Sequence, residues 1–353
     1  MTKVRARGED IRRYILGRVD NHPNDIGKIT AKHFGITRQA VNKHLQKLCA
    51  EYALTKRGKT QSISYKLASL TEWRKCYPIN PDLAEDIIWT NFVRDVLSPL
   101  PDNILDIWHY GFTEMFNNAI DHSGGSEILV NVRKNAISTE MLLADNGIGI
   151  FKKIQTEMHL LDERHAILEL SKGKLTTDPK NHTGEGIFFT SRMFDSFDIL
   201  SGGVFFTHQF GDESDLILEG DKFAHGTSVW MRIHNHTART VKKIFDQFTS
   251  GDDFGFNKTI VPVKLAQYGN DKLISRSQAK RVLTRIELFK TVIFDFAEVE
   301  FIGQAFADEI FRVFAQKHPE IQLLTMKTNS KVRRMIERAK ASNVSGSINI
   351  ISI

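Results

Sequence analysis

Cysteine is nearly absent from this chain: Cys49 and Cys76 are the only two in 353 residues. Their spacing suits neither a metal-binding pair nor a disulfide framework, so a metal ribbon or a small secreted scaffold is excluded and a reducing cytoplasm is the expected compartment. Long apolar runs are missing too. None reaches the ~18 residues that a membrane span requires, and the most apolar stretch, 291–307, is broken by Asp295, Glu298 and Glu300. The basic first residues have no apolar segment behind them, so no secretory signal is expected.

What is present is the composition of an ordinary soluble protein, 41% hydrophobic and 25% charged, long enough for two or three domains. The net charge of +6 is unevenly spread. Residues 1–70 hold 15 Lys/Arg against 5 Asp/Glu, a net of +10, which leaves −4 for the remainder. One domain therefore carries the basic character.

Within that basic segment, helices are expected over 11–19 and 25–33. Gly35 suits a tight turn and Thr37 an N-cap. Val41, Leu45 and Leu48 then fall at i, i+4 and i+7 and face inward, leaving Arg38, Gln39, Asn42, Lys43 and Gln46 outside. Two short strands, 53–56 and 62–67, follow around Arg57-Gly-Lys-Thr60. The order resembles a winged helix-turn-helix. That resemblance implies contact with duplex DNA: Arg38, Gln39, Asn42 and Lys43 toward the major groove, Arg57 and Lys59 on phosphate. A three-helix module for protein contacts is the alternative. Residues 72–81, with two prolines, read as a linker, and 83–97 as an amphipathic helix.

The most informative stretch is 112–123. On a helix, Glu114, Asn118 and Asp121 share one face at i, i+4 and i+7, while Phe112, Met115, Phe116 and Ala119 line most of the rest. Two carboxylates and a carboxamide on so apolar a helix need protein partners or a wet site. Downstream, strands are expected over 127–133 and 139–144. The second runs into Asp145-Asn-Gly-Ile-Gly149, which puts a carboxylate at a strand end beside two glycines that let backbone approach a ligand. Gly184-Glu-Gly186 precedes a helix over 188–194, a site suited to an anion. His225-Gly-Thr227 turns into another strand.

These four motifs, in this order and spacing, resemble the nucleotide-binding boxes of the GHKL superfamily of gyrase, chaperone-type ATPases, histidine kinases and MutL. The resemblance spans residues 114–227. It implies a Bergerat fold that binds ATP with Mg²⁺. Asn118 would coordinate the Mg²⁺ that bridges the phosphates, Asp145 would accept the adenine amino group, and Thr227 would support it. Gly147, Gly149, Gly184 and Gly186 would let backbone bend around the nucleotide, and Glu114 would orient or deprotonate the nucleophile. Residues 151–182 would form a lid, with Lys172, Lys174 and Thr176 as candidate phosphate contacts. Asp121, where histidine kinases commonly carry a basic residue, tilts the reading toward hydrolysis. No phosphoacceptor helix of the histidine-kinase kind is found, and His109, followed by Tyr110 and Gly111, is expected to be packed or capping.

Beyond residue 258, strands are expected over 259–265, 291–296 and 321–326, with helices over 275–287, 303–317 and 330–341. Residues 294–306 resemble the STAS domains of anti-sigma-factor antagonists, which present a phosphorylatable serine at a helix start. Gln304 and Ala305 stand at the corresponding positions, so a STAS-like interaction domain without that switch is expected.

The expected fold class is thus α+β and multidomain. It comprises a winged helix (1–70), a helical connector (71–103), a GHKL α/β sandwich with a mixed sheet (104–240) and a small α/β STAS-like domain (258–345). The expected function is that of a cytoplasmic, ATP-dependent DNA-binding regulator. Its partners would be duplex DNA through residues 1–70, a protein through the STAS-like domain and a second copy of the chain, with no membrane contact. A serine protein kinase of the anti-sigma-factor type and a MutL-like or chaperone-like ATPase clamp are the alternatives.

Overall fold

The computed structural model describes residues 6–58, 62–176, 184–211, 216–249, 255–267 and 272–341. The first 70 residues build a core of their own. Helices α1 (Ala6–Arg18), α2 (Ile26–Phe34) and α3 (Arg38–Ala50) bury Ile11, Ile15, Ile26, Val41, Leu45 and Leu48 against one another. Gly35, at φ +62°, ends α2 in the left-handed conformation, and Thr37 caps α3 by accepting the Ala40 N–H at 3.2 Å. Strands β1 (Leu54–Arg57) and β2 (Ser64–Leu67) pair antiparallel behind α3. Lys59 lies outside the described residues.

Most of residues 72–81, expected to be a linker, instead belongs to strand β3 (Thr71–Pro78), which pairs antiparallel with β4 (Glu127–Lys134). Alternation explains the difference. Trp73, Lys75 and Tyr77 turn toward the protein while Glu72, Arg74 and Cys76 face out, and Pro78 falls at the strand end, where no ladder hydrogen bond is lost. A helix follows as α4 (Glu85–Ile88), a π-helical turn (Trp89–Val93) and α5 (Arg94–Leu97). Buried Lys134 donates to the carbonyls of Leu97 at 3.2 Å and Ser98 at 2.7 Å, a cation at the negative end of that helix. The segment expected to be a connector therefore supplies an edge strand and a packed helix.

Helix α6 (Asp102–His122) lies across one face of a five-stranded sheet ordered β3-β4-β5-β7-β6, with β5 (Ser138–Asp145), β6 (Ser196–Gln209) and β7 (Leu216–His234). Its buried Trp108, Phe112, Met115 and Phe116 join Ile128, Val130, Met141, Leu143 and Met231 in one core. Each such side chain contributes about 1.5–3 kcal/mol when fully buried. His109, expected to be packed or capping, is exposed, with its ring stacked on Trp89 at a centroid distance of 4.7 Å.

Between β5 and β6 run α7 (Ile150–Glu157), α8 (Glu163–Lys172) and α9 (Gly186–Met193). The sheet, expected to be mixed, is antiparallel in all its described pairings. β5 and β6 do run in the same direction, as a helical crossover requires, but β7 inserts between them antiparallel to both.

After α10 (Val241–Phe248), parallel pairing appears in a second sheet, ordered β10-β9-β8, with β8 (Lys258–Pro262), β9 (Thr291–Asp295) and β10 (Gln322–Met326). α11 (Arg276–Leu283) crosses from β8 to β9, and α12 (Gln304–Asp308), a π-helical segment (Glu309–Phe314) and α13 (Ala315–Lys317) cross to β10. α14 (Ser330–Ala341) completes the unit. α11 stops short of the expected residue 287 because Arg285 turns left-handed, at φ +62°. The core of this C-terminal unit is continuous with that of the five-stranded sheet, whereas the N-terminal core is separate. The chain is α+β, with antiparallel and parallel sheets together. Among the described residues no helix is long and apolar enough to cross a membrane.

Candidate functional site

One cavity of about 300 Å³ opens between α6, the ends of β5 and β7, and the start of α9. Its wall includes Glu114 and Asn118 from α6, Asp145 from β5, Gly184 and Gly186 at the head of α9, and Thr227 from β7. Four separate sequence motifs thus meet at one place. Apolar side chains, among them Met115, Leu143, Ile150, Ile154, Ile187 and Val229, supply most of the remaining surface. A largely apolar cleft with a few convergent polar groups is the usual form of a small-molecule site.

Asp145 sits at the strand end, still paired with Ile128 of β4 but one residue past the last pair with β7, Ala144 with Ser228. Its Oδ1 accepts the N–H of Gly147 at 2.8 Å and of Thr227 at 3.3 Å. Burial pushes the carboxyl above the ordinary carboxylate range, against the pull of those bonds and of the Thr227 hydroxyl. Thr227 Oγ1 accepts the Ile150 N–H at 2.9 Å, joining β7 to the start of α7. Close backbone approach explains two glycines. A side chain at Gly226 (φ +77°) would collide with the Asp145 carbonyl, and one at Gly147 with the Ser123 carbonyl. Gly147 and Gly149 shape this loop rather than line the cavity; Gly149, at φ +88°, is the N-cap of α7.

Glu114 lies against the head of α9, so closely that a Cβ at Gly186 would strike its carboxylate. A helix N-terminus favours a negative group there. Glu114 also holds the hydroxyl of half-buried Tyr110, whose ionisation is pushed upward by burial and by the Glu114 and Glu185 charges. Asp121 does not line the cavity; it is exposed. Helix geometry gives the reason. At 100° per residue the cavity takes the arc containing Glu114, Met115, Asn118, Ala119 and His122, and Asp121 falls past its edge.

Sequence reasoning missed four polar residues, three on the cavity wall and one in the loop behind it. His122 and Ser123 line the cavity at the end of α6, and Lys153 lines it from α7, its Nζ donating to the His122 carbonyl at 3.1 Å. Asn146 accepts the Ser126 and Glu127 N–H groups at 2.8 and 3.2 Å and ties the Asp145 loop to β4. An Asn before a turn glycine was a usable signal for the last; nothing local marked Lys153.

The region 151–182 is not a single loop. α7 and α8 occupy much of it, Phe151 is buried in the core, and 177–183 lie outside the described residues. Thr176 does line the cavity. Lys172 does not: fully buried, it pairs with Glu169 at 2.7 Å and donates to the carbonyls of Arg281 and Thr284 at 3.0 and 2.9 Å. Lys174 donates to the Leu288 carbonyl at 3.0 Å and lies over the Phe289 ring. Neither lysine faces the cavity.

On the basic domain, Arg38, Gln39, Asn42 and Lys43 are all exposed along α3, and Arg57 is exposed on β1. Val41, Leu45 and Leu48 occupy the opposite face of α3. The two exposed pairs lie one helical turn apart and form a single stripe.

A family model described as a STAS-like domain of unknown function (DUF4325) matches residues 278–333, which run from α11 into α14. The C-terminal unit therefore carries a STAS-like domain. The start of α12 carries no hydroxyl at Gln304 or Ala305. No curated protein matches the chain.

Proposed function

We propose that this protein is an ATP-dependent DNA-binding regulator, with a GHKL-type nucleotide site in its central domain and a winged helix-turn-helix in its first 70 residues. One observation supports the reading above the others. Glu114, Asn118, Asp145, Gly184, Gly186 and Thr227, dispersed over more than a hundred residues, converge on one cavity. The donor set fits ATP. Asp145 is an anchored, partly buried acceptor beside apolar walls that suit a purine, and Asn118 offers Mg²⁺ the kind of oxygen ligand it takes alongside water and phosphate. The head of α9 would present phosphate with the N–H groups of its first turn, and Lys153 adds a cation on the wall. Bound Mg²⁺ would neutralise phosphate charge. Glu114, at the other end of Asn118's helical turn, is positioned to orient a water.

The exposed stripe Arg38, Gln39, Asn42 and Lys43 supports contact with DNA. Its charge suits phosphate and its carboxamides suit base edges. The STAS-like domain is proposed as the surface for a protein partner.

The test is direct. Purified chain is titrated with Mg-ATP in a calorimeter, and phosphate release is followed with and without a candidate protein acceptor. We expect saturable ATP binding in the parent, and in Glu114→Ala retained binding with turnover lost, because that carboxylate acts mainly in the transition state. No ATP binding by the parent would overturn the reading. γ-Phosphate found on a partner serine instead of free in solution would move it to the protein-kinase class.

A further inference from the structure

Between the cavity and the STAS-like domain lies a buried polar clamp. Glu169 and Lys172 on α8 are both fully buried. Glu169 accepts from Lys172 Nζ at 2.7 Å and from Arg285 at 3.2 Å, and the His165 ring stands 3.6 Å from it, too far for a hydrogen bond. Lys172 also satisfies the last carbonyls of α11, those of Arg281 and Thr284. Arg285 reaches back the other way, donating to the carbonyls of Gly173, at 3.0 Å, and Lys174. Lys174 in turn donates to the Leu288 carbonyl, and Thr259 on β8 donates to the Lys172 carbonyl at 2.6 Å. Every backbone carbonyl from 172 to 174 is thereby held by the C-terminal unit.

The next residue is part of the cavity. Leu170, Leu175 and Thr176 line it. Leu175 donates its N–H to the Gly184 carbonyl at 3.1 Å, and Gly184 packs so tightly on Leu175 that any side chain there would overlap it. A short path of named contacts thus leads from Arg285 through Lys174 and Leu175 to the glycine pair at the head of α9. Arg285 itself stands at φ +62°, a conformation that L side chains adopt at a cost and that persists where surroundings over-determine it. A buried ion network broken at one partner leaves a charge without compensation, so such a clamp holds one geometry or fails sharply.

We infer that Arg285 of the STAS-like domain is a positioning residue for the cavity, and that the segment 281–289 reads whether the cavity is filled. Residues 170–176 are the shared element: one side forms the cavity wall and the other is bonded to 281–289. A ligand that prefers one arrangement of the wall must then shift 281–289, and a partner on 281–289 must shift ligand affinity by the same factor. The ligand named here, Mg-ATP, rests on the function proposed above; the clamp does not.

The full chain is tested by hydrogen–deuterium exchange with and without Mg-ATP, beside calorimetric affinity and thermal melts. In the parent, Mg-ATP is expected to slow exchange at 281–289 as well as at 170–176, although 281–289 lies outside the cavity. Arg285→Ala is expected to abolish the effect at 281–289 and to weaken Mg-ATP by roughly 5–150-fold, the usual span of coupling between sites. Arg285→Lys, which keeps the charge but loses the forked donors, should recover part of the affinity. Should Arg285→Ala fail to fold, Lys174→Ala removes the Leu288 hydrogen bond and the Phe289 ring contact while leaving Arg285 in place, and must still reduce protection at 281–289. Mg-ATP binding in the parent with no change at 281–289, or parental affinity in Arg285→Ala, overturns the inference. If the parent binds no ATP, it is the function that fails. The clamp is then judged without ligand: faster exchange at 170–176 in Arg285→Ala sustains it, and unchanged exchange overturns it.

Discussion

The hydroxyl of Thr227 accepts the backbone N–H of Ile150 at 2.9 Å while also favouring the ionised carboxylate of Asp145. One side chain on β7 therefore caps the first turn of α7 and orients the principal acceptor of the cavity. Thr227→Val keeps the shape and removes both functions. It should destabilise the protein by about 1–3 kcal/mol, since a buried N–H loses its acceptor. Thr227→Ser should recover most of the loss. Urea melts of the three proteins check this, and equal midpoints would remove Thr227 from the account.

Asp145 sets stability and ligand binding against each other. Its carboxyl is raised by burial, so the folded chain holds that proton more firmly than the unfolded chain does. Its protonation favours folding fully below its ordinary 3.8, and that contribution is lost as pH rises through the raised folded value. An amino group donated by a nucleotide needs the ionised form, so affinity should fall as pH drops toward the same value. Asp145→Asn should weaken ATP by about 1.5–3 kcal/mol, flatten the pH dependence and leave the empty protein at least as stable. Calorimetry and melts between pH 4 and 7 read both effects. Parental ATP affinity in the variant would contradict the role of Asp145.

Lys172 makes the opposite case. Burial pushes its ammonium from 10.5 down to about 8 although Glu169 pulls it up, because one carboxylate is shared with Arg285. Glu169 itself is held below the ordinary range: burial alone would raise it, but His165, Lys172 and Arg285 outweigh that. Between about pH 8 and 10.5 the unfolded chain binds more protons at Lys172, so the cost of burying the charge is relieved and stability should climb with pH there. Lys172→Met should cost about 3–5 kcal/mol near neutral pH, by leaving Glu169 and two carbonyls short of a partner, and should abolish the climb. Denaturant melts from pH 7 to 10.5 decide; a parent whose stability does not rise relative to the variant contradicts the burial argument.

DNA affinity should fall steeply with salt if the basic domain meets phosphate, because bound Lys and Arg release condensed counterions. Lys43→Glu and Arg57→Glu should weaken every duplex alike, whereas Gln39→Ala or Asn42→Ala should alter sequence preference. Fluorescence anisotropy at several salt concentrations, with no nucleotide, with ADP and with a non-hydrolysable ATP analogue, separates these effects. Three superimposable curves would detach the nucleotide from DNA binding.

Periodic elements were legible in the residues alone. The apolar spacing of Val41, Leu45 and Leu48 marked α3, the run from Phe112 to Ala119 marked α6, and the polar breaks around Asp145 marked the end of β5. These signals are local: a helix or strand with one buried face must repeat its apolar residues at 3.6 or 2. Alternating strands and helices marked the C-terminal unit as α/β in the same way, while its STAS-like character rested on the resemblance of residues 294–306 to that family, and the match over 278–333 agrees with it.

Tertiary structure decided the rest. β3 was hidden because its inward residues include Lys75, which is half-buried against the rings of Phe92 and Tyr77, 3.8 and 4.9 Å away. Asp121 shares a helical face with Glu114 in any sequence projection, yet the cavity turned out to occupy the neighbouring arc, set by where α7 and α9 dock. Lys172 carries the same charge as any surface lysine. Only the meeting of α8 with the left-handed turn at Arg285 placed it among Glu169 and two carbonyls, out of reach of the cavity. Residue pattern determines which face of each element is buried; the partner that buries it, and hence the role of a polar group on that face, is settled by contacts between segments distant in the sequence, 77 residues for Ile150 with Thr227 and 112 for Lys172 with Thr284.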